Sequence, residues 1–177
     1  MKSLKSKQHK TKFVAYVATS VDGRISLSKT KAPDWTSKED WKFFQSKLKN
    51  VDAVIAGHNT YIAAQSHLMK RTTYVFSHTP KLQKGSVTFI NPAKIQLKKY
   101  FEKYKTVAIV GGASVYQTML DAGLLNELYV TIEPLVFGRG TEMFIGGTKT
   151  YQLKLVSTRK LNVRGTLLLH YQVMYSK

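Results

Sequence analysis

Apolar and polar positions along this chain of 177 residues follow two rhythms. Short apolar runs of strand length recur at Phe13-Val14-Ala15-Tyr16-Val17-Ala18, Val51-Asp52-Ala53-Val54-Ile55-Ala56, Thr73-Tyr74-Val75-Phe76 and Val107-Ala108-Ile109-Val110, and Ser86–Ile90 reads as another. Between them lie stretches that predict helices: one starting at Thr36 or Ser37, one around Thr60–Gln65, one over Lys94–Tyr104 and one from Ser114 to about Asp121. Asp22-Gly23, Gly57 and Gly111-Gly112 punctuate the strand ends. A polar loop is expected from Ser26 to Asp34. Leu128–Ile132, Lys154–Lys160 and Thr166–Tyr175 close the chain as strands, with Phe137-Gly138-Arg139-Gly140 as a loop among them.

Strands alternating with helices predict a mainly parallel sheet covered on both faces, and the terminal run of strands predicts an antiparallel hairpin on the same sheet. The expected fold class is therefore α/β, a three-layer sandwich. There is no internal repeat, low-complexity block or interdomain linker. A single domain is expected over 13–177, preceded by a basic, disordered tail over 1–12.

Composition narrows the classes. An apolar share of 43% suits a globular protein, and no apolar run approaches the roughly 18 residues of a membrane span. The first residues are polar and basic with no apolar core behind them, unlike a signal peptide. No membrane partner is expected. Zero cysteines exclude disulfides and thiolate metal sites, which suits a cytoplasmic protein, and no metal is expected. The net charge of +18 favours anionic ligands, either polyanions or small molecules carrying phosphate or carboxylate. Nucleic acid is not the expected partner, because no aromatic and basic platform for single strands is visible.

Against 28 Lys and Arg the chain has only ten acidic residues, and one of them lies among aromatics. Asp40 sits in Asp34-Trp35-Thr36-Ser37-Lys38-Glu39-Asp40-Trp41-Lys42-Phe43-Phe44. On a helix, Asp40 and Phe44 share a face, since residues four apart stack as neighbours. An acid and a ring on one face suit a flat, nitrogen-rich heterocycle: the carboxylate takes ring N–H donors and the aromatic packs the plane. The competing reading is a helix cap, because Ser37-x-x-Asp40 resembles a capping box and acids are favoured in the first turn. Glu39 with Thr36 can serve that purpose instead.

Two strand-to-helix turns carry glycine: Val110-Gly111-Gly112-Ala113-Ser114 and Ala56-Gly57-His58-Asn59-Thr60. Such turns let backbone N–H groups reach phosphates, and a pair of them suits a dinucleotide, although neither is the GxGxxG fingerprint.

Taken together with Asp40, these segments resemble dihydrofolate reductase over nearly the whole chain after the basic tail. Ala18-Thr19-Ser20-Val21-Asp22-Gly23-Arg24-Ile25 is similar to that family's first strand and lid loop. Trp35 matches its lid tryptophan, Asp40 its catalytic acid and Phe44 the aromatic that packs the pterin. Ala56-Gly57-His58-Asn59-Thr60-Tyr61 resembles the cofactor turn Met-Gly-Arg-x-Thr-Trp. Arg71, nine residues before Pro80, is placed like the arginine that grips the glutamate tail of folate. Gly111-Gly112-Ala113-Ser114-Val115-Tyr116 resembles the Gly-Gly-x-x-x-Tyr segment, and Leu128-Tyr129-Val130-Thr131 the strand whose threonine bonds the pterin and the acid.

The resemblance implies reduction of 7,8-dihydrofolate to tetrahydrofolate by hydride transfer from NADPH. It implies catalytic roles for Asp40, Trp35 and Thr131, and substrate contacts from Ala18, Asp40, Phe44, Arg71 and Thr131. Cofactor contacts fall to Ile25, Gly57, His58, Asn59, Thr60, Ser77, His78, Val110, Gly111, Gly112, Ala113, Ser114, Val115 and Tyr116. The implied partner is a small-molecule pterin or pyrimidine substrate, and a homodimer stays open. Departures exist. His58 stands where an arginine usually clamps the cofactor's phosphate, which leaves that task to bases such as His78 or Lys81, and Asp34 precedes Trp35 where proline is usual. Ser20-Val21-Asp22-Gly23-Arg24-Ile25 and Phe137-Gly138-Arg139-Gly140 look more like a sister family, the riboflavin-biosynthesis reductases, which act on a phosphoribosylamino-pyrimidine. A basic nucleic-acid-binding protein on the same scaffold is the remaining alternative.

Overall fold

The computed structural model describes residues 10–27, 33–79, 83 and 85–175. In chain order its elements are β1 (Lys12–Thr19), β2 (Arg24–Ser26), α1 (Lys38–Leu48), β3 (Ala53–Gly57), α2 (His58–Ala63), α3 (Gln65–Leu68), β4 (Thr73–Phe76) and β5 (Val87–Ile90). A 3-10 turn (Pro92–Lys94), α4 (Leu97–Tyr100), β6 (Thr106–Ile109), α5 (Ala113–Asp121), β7 (Leu125–Ile132), β8 (Thr141–Glu142), β9 (Gln152–Lys160) and β10 (Leu167–Met174) follow.

The main sheet runs β5-β4-β3-β6-β1-β7-β10-β9. From β5 to β7 all neighbours are parallel, and β10 and β9 add an antiparallel hairpin at the edge. The strands read as continuous apolar runs because helices bury them on both faces. Phe13 and Ala15 of β1, with Ala53 and Ile55 of β3, pack with Val115 and Met119 of α5 and with Phe101. Val14 and Tyr16, with Val54 and Ala56, pack with Leu48 of α1, Tyr61 of α2 and Leu68 of α3. The three-layer α/β architecture expected from the sequence is the one observed.

Three local features differ from expectation. The helix expected around Thr60–Gln65 starts at His58 and breaks at Ala64, whose φ of −121° and ψ of 23° leave the helical region. The helix expected over Lys94–Tyr104 divides into the 3-10 turn and α4, because Ile95 is extended at φ −134° and ψ 152°. Of the loop expected from Ser26 to Asp34, residues 28–32 lie outside the described residues, and its first residue, Ser26, ends β2, which joins β8 as a two-stranded ribbon. The tail expected over 1–12 meets the ordered domain at its end. Thr11 is buried and donates its hydroxyl to the Phe101 carbonyl at 3.1 Å, and Lys12 opens β1. Residues 1–9 lie outside the described residues. Among the described residues, no helix is long and apolar enough to cross a membrane, and no group of three or more His, Asp and Glu could hold a metal ion.

Candidate active site

A cleft of about 1450 Å³ opens at the C-terminal ends of β1, β3 and β6, where ligands settle in open α/β sheets. Its substrate half is built on α1. Ser37 caps that helix, and its hydroxyl accepts from the Asp40 backbone N–H at 3.2 Å. The second bond of a capping box would run from the Asp40 carboxylate to the Ser37 N–H. That N–H instead donates to Oε1 of Glu133 at 2.6 Å. Glu39, the other acid of the first turn, accepts from Nδ2 of Asn162 at 3.2 Å. The Asp40 side chain is thus spared from capping. It lines the cleft, 9% exposed, and accepts a hydrogen bond from the Thr131 hydroxyl. Burial pushes its pKa above the ordinary carboxylate value; the Thr131 bond opposes the shift and the negative charge of Glu133 adds to it.

Aromatic rings floor this half. Tyr16 stacks on Tyr129 at 5.3 Å and meets Phe43 and Phe44 edge-on at 6.3 and 6.2 Å. Phe44 and Ala18 line the same wall as Asp40 and Thr131. Arg71, Lys38, Lys70 and His67 also line the cleft, and one arm of the Arg71 guanidinium is committed: Nη1 donates to the Leu48 carbonyl at 2.7 Å, in the last turn of α1.

The other half brings the two glycine turns together. Gly57 N–H donates to the Gly111 carbonyl at 2.7 Å. A Cβ on Gly57 would lie 3.2 Å from Gly112 N, and one on Gly111, whose φ is +120°, would lie 3.1 Å from Thr60 Oγ1. Glycine suits this close approach, and the positive φ of Gly111 disfavours any side chain there. Gly112 caps α5 with no side chain to accept from the first turn; the Val115 N–H turns back to the Gly112 carbonyl at 2.9 Å, and the Ala113 and Ser114 N–H groups lie at the positive helix end, where an anion is favoured. This end of α5 could hold a dinucleotide pyrophosphate through Gly112, Ala113 and Ser114 with the Thr60 hydroxyl, while the Gly57 N–H is spent on joining the two turns. Ile25, His58, Asn59, Ser77, His78, Val110, Val115 and Tyr116 also line the cleft. Lys81 lies outside the described residues. Tyr116 is almost fully buried and donates its hydroxyl to the Tyr16 carbonyl at 2.7 Å, tying α5 to β1 beneath the cleft.

Among the described residues given a catalytic, substrate or cofactor role from the sequence, Trp35 alone is absent from the cleft lining; it packs edge-on against Phe137 at 5.1 Å. The structure adds Glu133, Tyr16 and Tyr129, which sequence reasoning passed over. Period-two alternation could have found them: Tyr129, Thr131 and Glu133 share one face, as do Tyr16 and Ala18.

The family model for dihydrofolate reductase matches residues 13–144. Two uncharacterized proteins of Bacillus subtilis (strain 168) are each 30% identical to the chain: YwjB over 173 residues, 90% of this chain and 97% of the relative, and YyaP over 158 residues, 84% and 71%. Among solved structures, RibD of Acinetobacter baumannii is similar with a TM-score of 0.78 and 17% identity, covering 93% of this chain and 58% of that one. Dihydrofolate reductase from Enterococcus faecalis, complexed with NADP(H) and RAB-propyl, gives a TM-score of 0.71 and 23% identity over 93% of this chain and 98% of that one. These two likenesses are of fold.

Proposed function

Because the chain belongs to the dihydrofolate reductase family, we propose that it reduces a C=N bond of a nitrogen heterocycle with NADPH, and that 7,8-dihydrofolate is the substrate its site favours. The observation that carries this reading is the Asp40 carboxyl, buried, bonded to Thr131 and facing a cleft whose opposite wall is the paired glycine turns.

Asp40 accepts the N–H donors of the pyrimidine edge, and Thr131 fixes the direction of its carboxyl. Burial raises the affinity of Asp40 for a proton; the ligand's N–H donors offset this, and the carboxylate beside the ring then favours protonation of the adjoining ring nitrogen, with water as the source of the proton. Tyr16 and Phe44 hold the ring plane, and Ala18 leaves room for its edge. NADPH, held by the glycine turns, supplies the hydride when bound. The ribbon of β2 and β8 brings Ile25, Ser26 and Thr141 to the cleft and limits water there. The test is an assay of NADPH oxidation with dihydrofolate. Wild-type turnover, with a loss of 100-fold or more in Asp40→Asn, supports the reading; equal activity of the variant refutes the role of Asp40.

A second reading, reduction of a phosphoribosylamino-pyrimidine, is favoured by one observation. Arg71 already spends one arm on Leu48, and its chain neighbour Lys70 also lines the cleft, a pair of cations suited to a phosphate. Offering both substrates, with NADPH and NADH in turn, separates the two.

A further inference from the structure

Glu133 follows the end of β7 on the face that carries Tyr129 and Thr131, and it is only 4% exposed. A buried carboxylate is costly unless hydrogen-bonded. Its two oxygens are served from two directions: Oε1 takes the Ser37 N–H at 2.6 Å, and Oε2 takes the Thr166 hydroxyl at 2.7 Å. Thr166 is held in turn by Asn162, whose Nδ2 lies 2.9 Å from Thr166 Oγ1 and whose Oδ1 accepts from Thr166 N–H at 3.2 Å. Leu167 pairs with Ile132 in the β10–β7 ladder, which sets Thr166 opposite Glu133. One carboxylate therefore joins the end of β7, the start of β10 and the first turn of α1.

The Ser37 N–H is the group that an acid at position 40 reaches in an ordinary capping box. We infer that Glu133 is a positioning residue for Asp40: it occupies the Ser37 N–H, and so leaves the Asp40 carboxyl to Thr131 and the cleft, with a second negative charge held behind it. This rests on the reading of Asp40 as the ligand anchor. The charged groups around Asp40 are Glu133 beyond β7, Lys38 and Glu39 on its own helix, Arg159 of β9 over the Phe43 ring, and Lys70 and Arg71 along the cleft. Of these, Glu133 is the one whose charge moves the Asp40 equilibrium, in the direction that favours a bound proton.

Two substitutions separate the parts of this role. Glu133→Gln keeps an acceptor for Ser37 N–H and removes the charge. Glu133→Ala removes both, so Asp40 is free to swing back onto Ser37. Carboxyl-carbon NMR titration of Asp40 is expected to move to lower pH in Glu133→Gln, while the Ser37 amide keeps its protection from exchange and NADPH-bound protein keeps its affinity for dihydrofolate. In Glu133→Ala that affinity is expected to fall about tenfold or more, and Gln in place of Ala restores it. An unmoved Asp40 titration in Glu133→Gln overturns the inference, as does wild-type affinity in a folded Glu133→Ala. If the wild-type protein binds no dihydrofolate, the substrate reading fails and the Asp40 titration still decides the role of Glu133.

Discussion

The carboxylate of Asp22 accepts from the Gly138 backbone N–H at 2.8 Å, and so ties the turn after β1 to the loop that precedes β8. Its other oxygen takes the Ser20 hydroxyl at 2.6 Å and the Phe137 N–H at 3.0 Å. These bonds, the Ser20 bond foremost, hold the Asp22 pKa down to about 2. A depressed pKa stabilises the fold above the unfolded value, about 3.9, and that stability is lost as pH falls through the folded value. Asp22→Ala is therefore expected to cost stability at neutral pH and to lose less than wild type between about pH 4 and pH 2. Urea unfolding at a series of pH values checks this, and parallel curves across that window count against it.

Asp40 has the opposite sign. Its folded pKa is raised, chiefly by burial, so its contribution to stability is complete below the unfolded value and is lost as pH rises through the folded one. Asp40→Asn carries no such charge into the buried site. The variant is expected to gain in melting temperature relative to wild type as pH rises from about 4 to about 8, while losing activity. Such an exchange of function for stability is common at binding sites. A gap that does not change with pH would show that Asp40 is not held in an unfavourable place.

Asp40 was legible because an acid among aromatics is rare in a chain this basic, and the glycine turns were legible because strand, glycine and helix start lie next to each other. Local patterns of this kind also place most strands within a few residues. Glu133 was not legible as a site residue, because its role depends on the β7–β10 register that brings Thr166 opposite it and on a helix start 96 residues away. The same cause hid the ribbon of β2 and β8, whose partners Arg24 and Glu142 meet only in the folded chain. Arg71 was found as a cation, but its bond to Leu48 depends on where α1 ends. The expected helix over Lys94–Tyr104 failed for a local reason. Pro92 opens a 3-10 turn fastened by the Asn91 side chain, and Ile95 then goes extended and packs on the core before α4 can start.

The glycine cradle is open to direct test. Gly111 holds φ at +120° with Thr60 Oγ1 beside the position of a Cβ. Gly111→Ala is expected to cost about 1–3 kcal/mol of stability and to weaken NADPH binding more than tenfold. Calorimetric titration with NADPH, alongside thermal melting, reads both effects. Unchanged affinity in a destabilised variant would mean that the turn serves the fold alone.

Arg71 divides its guanidinium between structure and ligand, and the division can be measured. One arm holds the Leu48 carbonyl at 2.7 Å, a bond that a lysine can also make. The remaining donors point to the fork geometry that grips a carboxylate in two places, which lysine cannot copy. Arg71→Lys is therefore expected to keep its melting temperature near wild type. If a glutamate tail binds there, KM for dihydrofolate rises about tenfold with kcat little changed, because the contact is made equally in the ground state and the transition state. Dihydropteroate, which lacks the glutamate, is expected to show no difference between the two proteins. A fall in kcat with both substrates would instead place Arg71 in the support of α1, through Leu48.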